Sequence, residues 1–315
     1  MSVSEQRWRE LMLIANPISG KGKGGRYVDA VAEVLGQKAA SVLVVRTASK
    51  GDAQQAAAEF PGEAIVVLGG DGTINETING ADLDRCVIGV APAGAGNVLG
   101  NELRMSKHPL EAARAILDGR AVRFDLGVCN GRRFACMCGV GLDAHVVDMV
   151  HRRRRGRMTQ LRYMPHLLRE AILPHRWDIR VDVDGREMVS GADMVCAGNT
   201  RAYGGPVSLT PLASPVDGLF DVLAARMASP GGAAMQSMAA LLRSSHACAT
   251  ATYWRGSRVT ITSRRTDVPW QVDGEFRGHL PAEIHIQLGR LRLIVPRDFR
   301  PRPPAVIRKP GGETD

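Results

Sequence analysis

Ile65-Val66-Val67-Leu68-Gly69-Gly70-Asp71-Gly72-Thr73-Ile74-Asn75-Glu76 decides the fold class of this chain. The run from Ile65 to Leu68 is short, apolar and β-branched, which predicts a buried parallel strand. It stops at three glycines around one aspartate, and helix-compatible residues then continue to Asn79-Gly80. Strand, glycine turn and helix in that order present backbone N–H groups to an anion, and glycines let a phosphate come close to the backbone. Asp71 conflicts with that reading, because a carboxylate repels phosphate unless Mg²⁺ or a proton transfer needs it.

The same alternation recurs on both sides of the stretch. Leu11 to Ala15 reads as a first strand, followed by the glycine- and lysine-rich turn Asn16 to Gly25 and a helix over Arg26 to Leu35. Ser41 to Arg46 reads as a second strand, and Asp52 to Phe60 as a helix that Pro61-Gly62 ends. Val87 to Ala91 is a fourth strand closed by Pro92-Ala93-Gly94-Ala95-Gly96-Asn97, with helices through Leu103 and from Leu110 to Asp118. Strands alternating with helices indicate a mostly parallel, Rossmann-like α/β sheet. Ligands on such sheets bind beyond the carboxyl ends of the strands, where the loops 16–25, 69–73 and 92–97 all fall.

After about Arg123 the pattern changes to strands separated by turns: Phe124 to Val128, Arg132 to Val140, Trp177 to Val183, Glu187 to Cys196, Leu219 to Ala224, Arg258 to Thr262 and Ala282 to Gln287. Val183-Asp184-Gly185-Arg186 is a hairpin signal. This half reads as an antiparallel sheet or sandwich, interrupted by helical patches at Thr159 to Ile172 and about Gly232 to Arg243. Leu291 to Val295 is a last apolar run, and the proline-rich tail, residues 301–315, has little to bury and is expected to be disordered.

With 315 residues, two domains are expected. Aromatic residues make up 4%, too few for a base-stacking nucleic-acid platform, so nucleic acid is not an expected partner. A formal net charge of +9 favours phosphates or an acidic membrane surface. The six cysteines, Cys86, Cys129, Cys136, Cys138, Cys196 and Cys248, lack a disulfide-scaffold pattern and read as reduced core residues of a cytoplasmic protein. Residues 1–10 are polar without a signal-peptide core, and no apolar run is long enough to span a bilayer. His145, His166, His246 and His285 have no metal or triad spacing, and no Gly-x-Ser-x-Gly element supports an esterase.

Taken singly, the first loop fits a phosphate cradle or a surface turn equally well. It is not a Walker A loop, because Gly20-Lys21-Gly22 lacks the hydroxyl after the lysine. Together the loops carry a family resemblance. Asn16-Pro17-x-Ser19-Gly20, Gly69-Gly70-Asp71-Gly72-Thr73-x-Asn75-Glu76-x-x-Asn79-Gly80, Pro92-x-Gly94-x-Gly96-Asn97, Gly198-Asn199, Asp217-Gly218-Leu219-Phe220-Asp221 and Asp273-Gly274-Glu275 resemble the diacylglycerol kinase catalytic family, in its branch of soluble bacterial lipid kinases related to sphingosine kinases. The Gly-Gly-Asp-Gly-Thr loop is shared with NAD kinases. The resemblance implies a nucleotide-binding α/β domain over residues 1–124, with 290–300 returning to it, and a β-sandwich lipid-substrate domain over 125–289.

It further implies ATP as phosphate donor, with contacts at Asn16, Pro17, Ile18, Ser19, Gly20, Thr47, Gly69, Gly70, Asp71, Gly72, Thr73, Ile74, Asn75 and position 95. Position 95 departs from the family, which commonly has threonine there; Ala95 forgoes a hydroxyl contact typically worth about 1 kcal/mol. A structural Mg²⁺ is implied at Ser214, Asp217 and the carbonyl of Leu219. Phosphoryl transfer to a hydroxyl needs a base, and Glu275 matches the glutamate given that role in the bacterial branch. Sphingosine kinases give it instead to the aspartate matching Asp71; here Asp71 is read as organising Mg²⁺ or water. Asp125 matches a family aspartate that networks with Asp71.

Arg152, Arg153, Arg154, Arg155 and Arg157 form the strongest charge run and lead into an apolar-rich segment. That combination suits docking on an anionic leaflet, at the inner face of the membrane for a lipid kinase. The expectation is therefore an ATP- and Mg²⁺-dependent lipid kinase acting on diacylglycerol, a sphingoid base or a related lipid, with a homodimer left open. The rivals are a NAD kinase-like enzyme and a catalytically weak nucleotide- or lipid-binding protein, the latter motivated by Ala95.

Overall fold

The computed structural model describes residues 8–152, 177–203, 207–226, 244–245 and 248–301. Its first half is built on β1 (Trp8–Ala15), β2 (Ala39–Arg46), β3 (Ala64–Gly69) and β4 (Val87–Pro92), paired in parallel in the order β2-β1-β3-β4. All six residues of β3 are buried, as a strand covered on both faces requires. Four helices follow the strands: α1 (Ser19–Gly36), α2 (Asp52–Glu59), α3 (Asp71–Gly80) and α4 (Val98–Glu102), with α5 (Pro109–Asp118) after them. Leu11, Leu13, Ile14, Ile65 and Leu68 pack against Val31, Leu35, Ile78 and Ile116 in one core.

The second half holds β5 (Arg120–Cys129), β6 (Arg132–Phe134), β7 (Met137–Gly141), α6 (Leu142–Arg152), β8 (Ile179–Val183), β9 (Arg186–Ala192), β10 (Met194–Gly198), β11 (Phe220–Ala225), β12 (Ala251–Gly256), β13 (Arg258–Ser263), β14 (Pro269–Val272), β15 (Glu275–His279) and β16 (Ala282–Val295). β12-β11-β10-β7-β14-β15 form a separate antiparallel sheet. It packs on β5, β6, β8, β13 and the first half of β16 through a second core that includes Phe134, Trp177, Val195, Phe220, Val259, Trp270 and Ile284. The protein is thus a parallel α/β layer joined to an antiparallel β-sandwich. Asp184 and Gly185, both at positive φ, turn the chain between β8 and β9, as the hairpin signal requires.

Sequence periodicity alone divides some strands differently. Ala282 to Gln287 and Leu291 to Val295 belong to one 14-residue strand, β16. Its first part pairs with β13, its last residues pair in parallel with β4, and its pairing with β5 shifts between Gln287 and Leu291. The break at Leu288-Gly289-Arg290 between the two apolar runs is this irregularity, with Gly289 at φ 54° and Leu288 exposed. Glu187 to Cys196 is likewise two strands, β9 and β10. The helical patches read at 159–172 and 232–243, the arginines 153–155 and 157, and the tail beyond residue 301 lie outside the described residues. All six cysteines are buried and free.

Candidate active site at the domain junction

The three glycine-rich loops meet at the carboxyl end of the parallel sheet. Asn16 N–H bonds the Leu68 carbonyl at 3.0 Å, and Ala93 N–H bonds the Gly69 carbonyl at 2.8 Å, so each loop leaves the sheet tied to its neighbour. The backbones then close to distances that side chains would block. A Cβ on Gly94 would lie 2.6 Å from the Gly70 Cα, and one on Gly20, at φ 58°, would lie 2.0 Å from the Ala93 carbonyl oxygen. Asn16 Nδ2 reaches Thr73 Oγ1 at 3.3 Å, and its Oδ1 accepts the Ile18 N–H at 3.2 Å. Ser19 Oγ faces Gly70, and Thr47, just past β2, is held by the Ala15 carbonyl at 2.9 Å. Asn16 to Gly20, Thr47, Gly69 to Asn75 and Ala95 therefore lie along one edge of the sheet.

Asp71 resolves its conflict with an anion-binding loop by capping a helix. Its Oδ1 accepts the Val98 N–H at 2.7 Å, at the start of α4, where backbone dipoles favour negative charge. Burial nevertheless pushes its pKa up to about 6, against that hydrogen bond, and the nearby Asp273 charge adds to the rise.

Asp273 is the centre of the junction, and sequence reasoning gave it no role beyond its place in the Asp273-Gly274-Glu275 motif. Its carboxylate accepts the N–H groups of Ala135, Cys136 and Met137 at 2.9, 2.9 and 3.1 Å, and the Asn75 amide at 3.1 Å. These bonds tie α3 of the first half to β7 and the β14–β15 turn of the second. Burial still raises its pKa, because four donors only partly replace water. Gln271 Oε1 braces the turn from below by accepting the Gly274 N–H at 2.7 Å.

Glu275 follows directly from this turn and projects back across the junction. A Cβ on Gly72 would lie 3.2 Å from Glu275 Oε1, so the glutamate lies directly against Gly72 and would have to give by a few tenths of an ångström to share the site with a side chain there. Glu275 Oε2 pairs with Lys50 Nζ at 2.7 Å, a residue at the start of the α2 segment that sequence reasoning missed. Two residues on, Arg277 donates to Asn75 Oδ1 at 3.1 Å.

The residues expected around a metal form a second group. Asp217 Oδ1 accepts the Leu219 N–H at 3.1 Å, Asp217 Oδ2 faces the Arg255 guanidinium, and Ser214 is buried. Asp221 is fully buried, 3.5 Å from Arg255 Nε; burial pushes its pKa up to about 6, against the Arg255 charge and a hydrogen bond with Tyr253. Asp125 belongs here and not with Asp71. Its Oδ2 and Oδ1 accept the N–H groups of Gly218 and Gly289 at 2.8 and 2.7 Å, and its charge helps raise the pKa of Asp217, which burial raises most. No hydrogen bond joins Asp125 to Asp71; the carboxylate whose charge acts on Asp71 is Asp273. Two carboxylates, Asp217 and Asp221, face one guanidinium with the Asp125 charge nearby, leaving excess negative charge, and the hydroxyl, carboxylate and carbonyl of Ser214, Asp217 and Leu219 are the oxygen donors a hard cation takes.

The matches to known proteins cover both halves. A diacylglycerol kinase catalytic domain model matches residues 10–129, and a YegS C-terminal NAD kinase beta sandwich-like domain model matches residues 136–295. A diacylglycerol kinase of Mycobacterium tuberculosis is 30% identical, over 94% of this chain and 99% of that protein. One from Bacillus subtilis is 27% identical over 91% and 96%. A crystal structure of a diacylglycerol kinase from Bacillus anthracis superposes with a TM-score of 0.77 at 22% identity, over 92% of this chain and 98% of that one, and shares the fold. Sandwich, glycine loops and both matched halves agree, and the chain belongs to the diacylglycerol kinase family.

Proposed function

We propose that the protein is an ATP- and Mg²⁺-dependent lipid kinase. The observation that carries this reading is Glu275, delivered by the second half of the chain onto Gly72 in the first turn after the glycine loop. That position beside a nucleotide-type loop supports reading Glu275 as the base. The relatives' name, diacylglycerol kinase, supports a lipid alcohol as acceptor.

In this mechanism the loops 16–20, 69–73 and 92–97 hold the donor's phosphates through backbone N–H groups. The acceptor hydroxyl gives its proton to Glu275 as its oxygen bonds the γ-phosphorus, and the bond to the β-phosphate oxygen breaks to release ADP. Lys50 holds the Glu275 carboxylate in place through their ion pair. Asp71 orders the third loop by fixing the start of α4. Asp217, Ser214 and the Leu219 carbonyl would hold a structural Mg²⁺ in the second half, and Mg²⁺ bound with the nucleotide offsets phosphate charge. Among the described residues no helix is long and apolar enough to cross a membrane. We assign the protein to the cytoplasm, reaching lipid at the inner membrane face through its positive charge, including the arginines at 152–155 and 157.

The test is labelled ATP with purified protein and a total lipid extract, with NAD as a parallel acceptor. A labelled lipid is expected. A labelled NADP product without labelled lipid overturns the reading.

A further inference from the structure

Gln271 is buried beside the turn that precedes Glu275, and both ends of its amide are engaged. Its Oε1 accepts the Gly274 N–H at 2.7 Å, and its Nε2 donates to Asp143 Oδ2 at 2.8 Å. A continuous chain of contacts thus runs from Asp143, in the first turn of α6, through Gln271 on β14 to the turn before Glu275.

The geometry of the turn shows what this chain controls. Val272 pairs with Glu275, so Asp273 and Gly274, at φ 48° and 82°, form a two-residue hairpin loop. The Gly274 N–H belongs to the central peptide of that loop, so its acceptor sets the plane of the peptide, and Glu275 is the next residue. Asp273 anchors the other side of the loop, through its carboxylate and through its own N–H, which bonds the Met137 carbonyl at 3.0 Å. Gly274 has no side chain to anchor, and the Gln271 oxygen holds it by the backbone.

Asp143 dictates which way the amide faces. Burial pushes its pKa up to about 6, so at pH 7.5 it is ionised and can only accept hydrogen bonds. A reversed Gln271 amide would set its oxygen against that carboxylate and its nitrogen against the Gly274 N–H, two repulsive contacts. Gly139 makes the room for this pair: a Cβ there would lie 1.6 Å from Asp143 Oδ2 and 2.6 Å from Gln271 Nε2. The carboxylate is costly to the fold, because Asp143 is buried and its Oδ1 is closed to solvent without a hydrogen-bond partner. A group that costs stability while completing a chain to the turn of the base points to a role in the reaction.

Resting on the lipid-kinase reading above, we infer that Asp143 and Gln271 are positioning residues for Glu275: the carboxylate fixes the Gln271 amide, and the amide fixes the turn that aims the base. Neither side chain touches the reacting atoms in this scheme. Their contribution falls on turnover and leaves nucleotide binding alone, because the glycine loops that hold the donor lie in the other half of the chain.

The test measures kcat, KM for ATP and melting temperature at pH 7.5 for wild type, Gln271→Met, Gln271→Glu and Asp143→Asn, using labelled ATP and the lipid that wild type labels in a total extract. Gln271→Met is expected to lower kcat roughly tenfold or more with KM for ATP unchanged. Gln271→Glu is expected to recover part of the loss, since its carboxyl keeps an oxygen for the Gly274 N–H and, protonated, an O–H for Asp143. Asp143→Asn is expected to melt higher than wild type yet turn over roughly threefold more slowly or worse, a combination that a purely structural role does not produce. Unchanged kcat in Gln271→Met and Asp143→Asn overturns the inference, and so does a loss that only follows the folded fraction. A wild type that phosphorylates no lipid defeats the kinase reading itself. Hydrogen exchange at the Gly274 amide then decides the positioning chain separately: protection in wild type that is lost in Gln271→Met and weakened in Asp143→Asn supports it, and equal exchange in all three overturns it.

Discussion

Asn75 Nδ2 donates to Asp273 Oδ2 at 3.1 Å, and this bond joins the helix after the glycine loop to the turn that carries Glu275. The same amide nitrogen also meets the Arg133 carbonyl, and Asn75 Oδ1 accepts from Arg277. Asn75→Ala removes all three contacts and leaves a buried carboxylate with one donor fewer. It is expected to destabilise the protein by about 1–3 kcal/mol and to lower kcat more than the affinity for nucleotide. Asn75→Asp sets a second carboxylate beside Asp273, and its destabilisation is expected to grow from pH 5 to pH 8. Denaturant unfolding at the two pH values checks both outcomes.

Asp71 combines a cap and a charge, which two substitutions separate. Asp71→Asn retains an oxygen for the Val98 N–H and removes the charge that burial disfavours. It is expected to melt no lower than wild type at pH 7.5. Asp71→Ala loses the cap, at a cost of about 1 kcal/mol. If Asp71 contributes charge to the reaction, both variants lose activity alike. If it only orders the loop, Asp71→Asn stays active while Asp71→Ala does not, and steady-state rates at matched folded fraction tell these apart.

The parallel half was legible in the sequence because its signals are local: apolar runs, then glycines, repeated at one sheet edge. The same locality limited the reading elsewhere. Asp125 could be named from its motif, but its partners Gly218 and Gly289 are distant in sequence, and their N–H groups leave no mark in side-chain pattern. Lys50 carries no signal in the sequence, since only the fold brings Glu275 to it. Asp273 stands in the Asp273-Gly274-Glu275 motif, in which the resemblance implies a role for Glu275 alone. β16 was read as two strands because a strand that changes sheets must break its own alternation there.

Asp143 offers a test of pH linkage away from the loops. It is 1% exposed, accepts one hydrogen bond, from Gln271 at 2.8 Å, and its other oxygen is buried without a partner. Burial pushes its pKa up from 3.8 to about 6. An acid whose folded pKa is raised binds its proton more tightly in the native state, so its contribution favours the fold at low pH and is lost as pH rises through about 4 to 6. Asp143→Asn is expected to remove this slope and to stabilise the protein at pH 7.5 by roughly 2 kcal/mol. Asp71 and Asp221 add slopes of the same sign, so the wild-type curve retains some fall after the substitution. Denaturant unfolding from pH 4.5 to 7.5 measures the difference, and an unchanged slope refutes the assignment to Asp143.

Ala95 removes a hydroxyl from the third loop, yet that loop borders a recess of about 190 Å³ lined also by Lys23, Asn101 and Lys107. Neither lysine makes an ion pair among the described residues, and both are exposed, one entering α1 and the other following α4. If the loops hold the donor's phosphates as proposed, the recess lies beside them, and two exposed cations there would offset the lost hydroxyl by charge. Lys23→Ala and Lys107→Ala are each expected to raise KM for ATP several-fold with kcat little changed. The wild-type KM is expected to rise steeply with salt, and less steeply in the double variant, because screening acts on those charges. Ala95→Thr restores a hydroxyl worth about 1 kcal/mol, which corresponds to a KM for ATP roughly fivefold lower. If the lysine variants leave KM for ATP unchanged while Ala95→Thr lowers it, the recess is not part of the nucleotide site, and the loop backbone alone holds the phosphates.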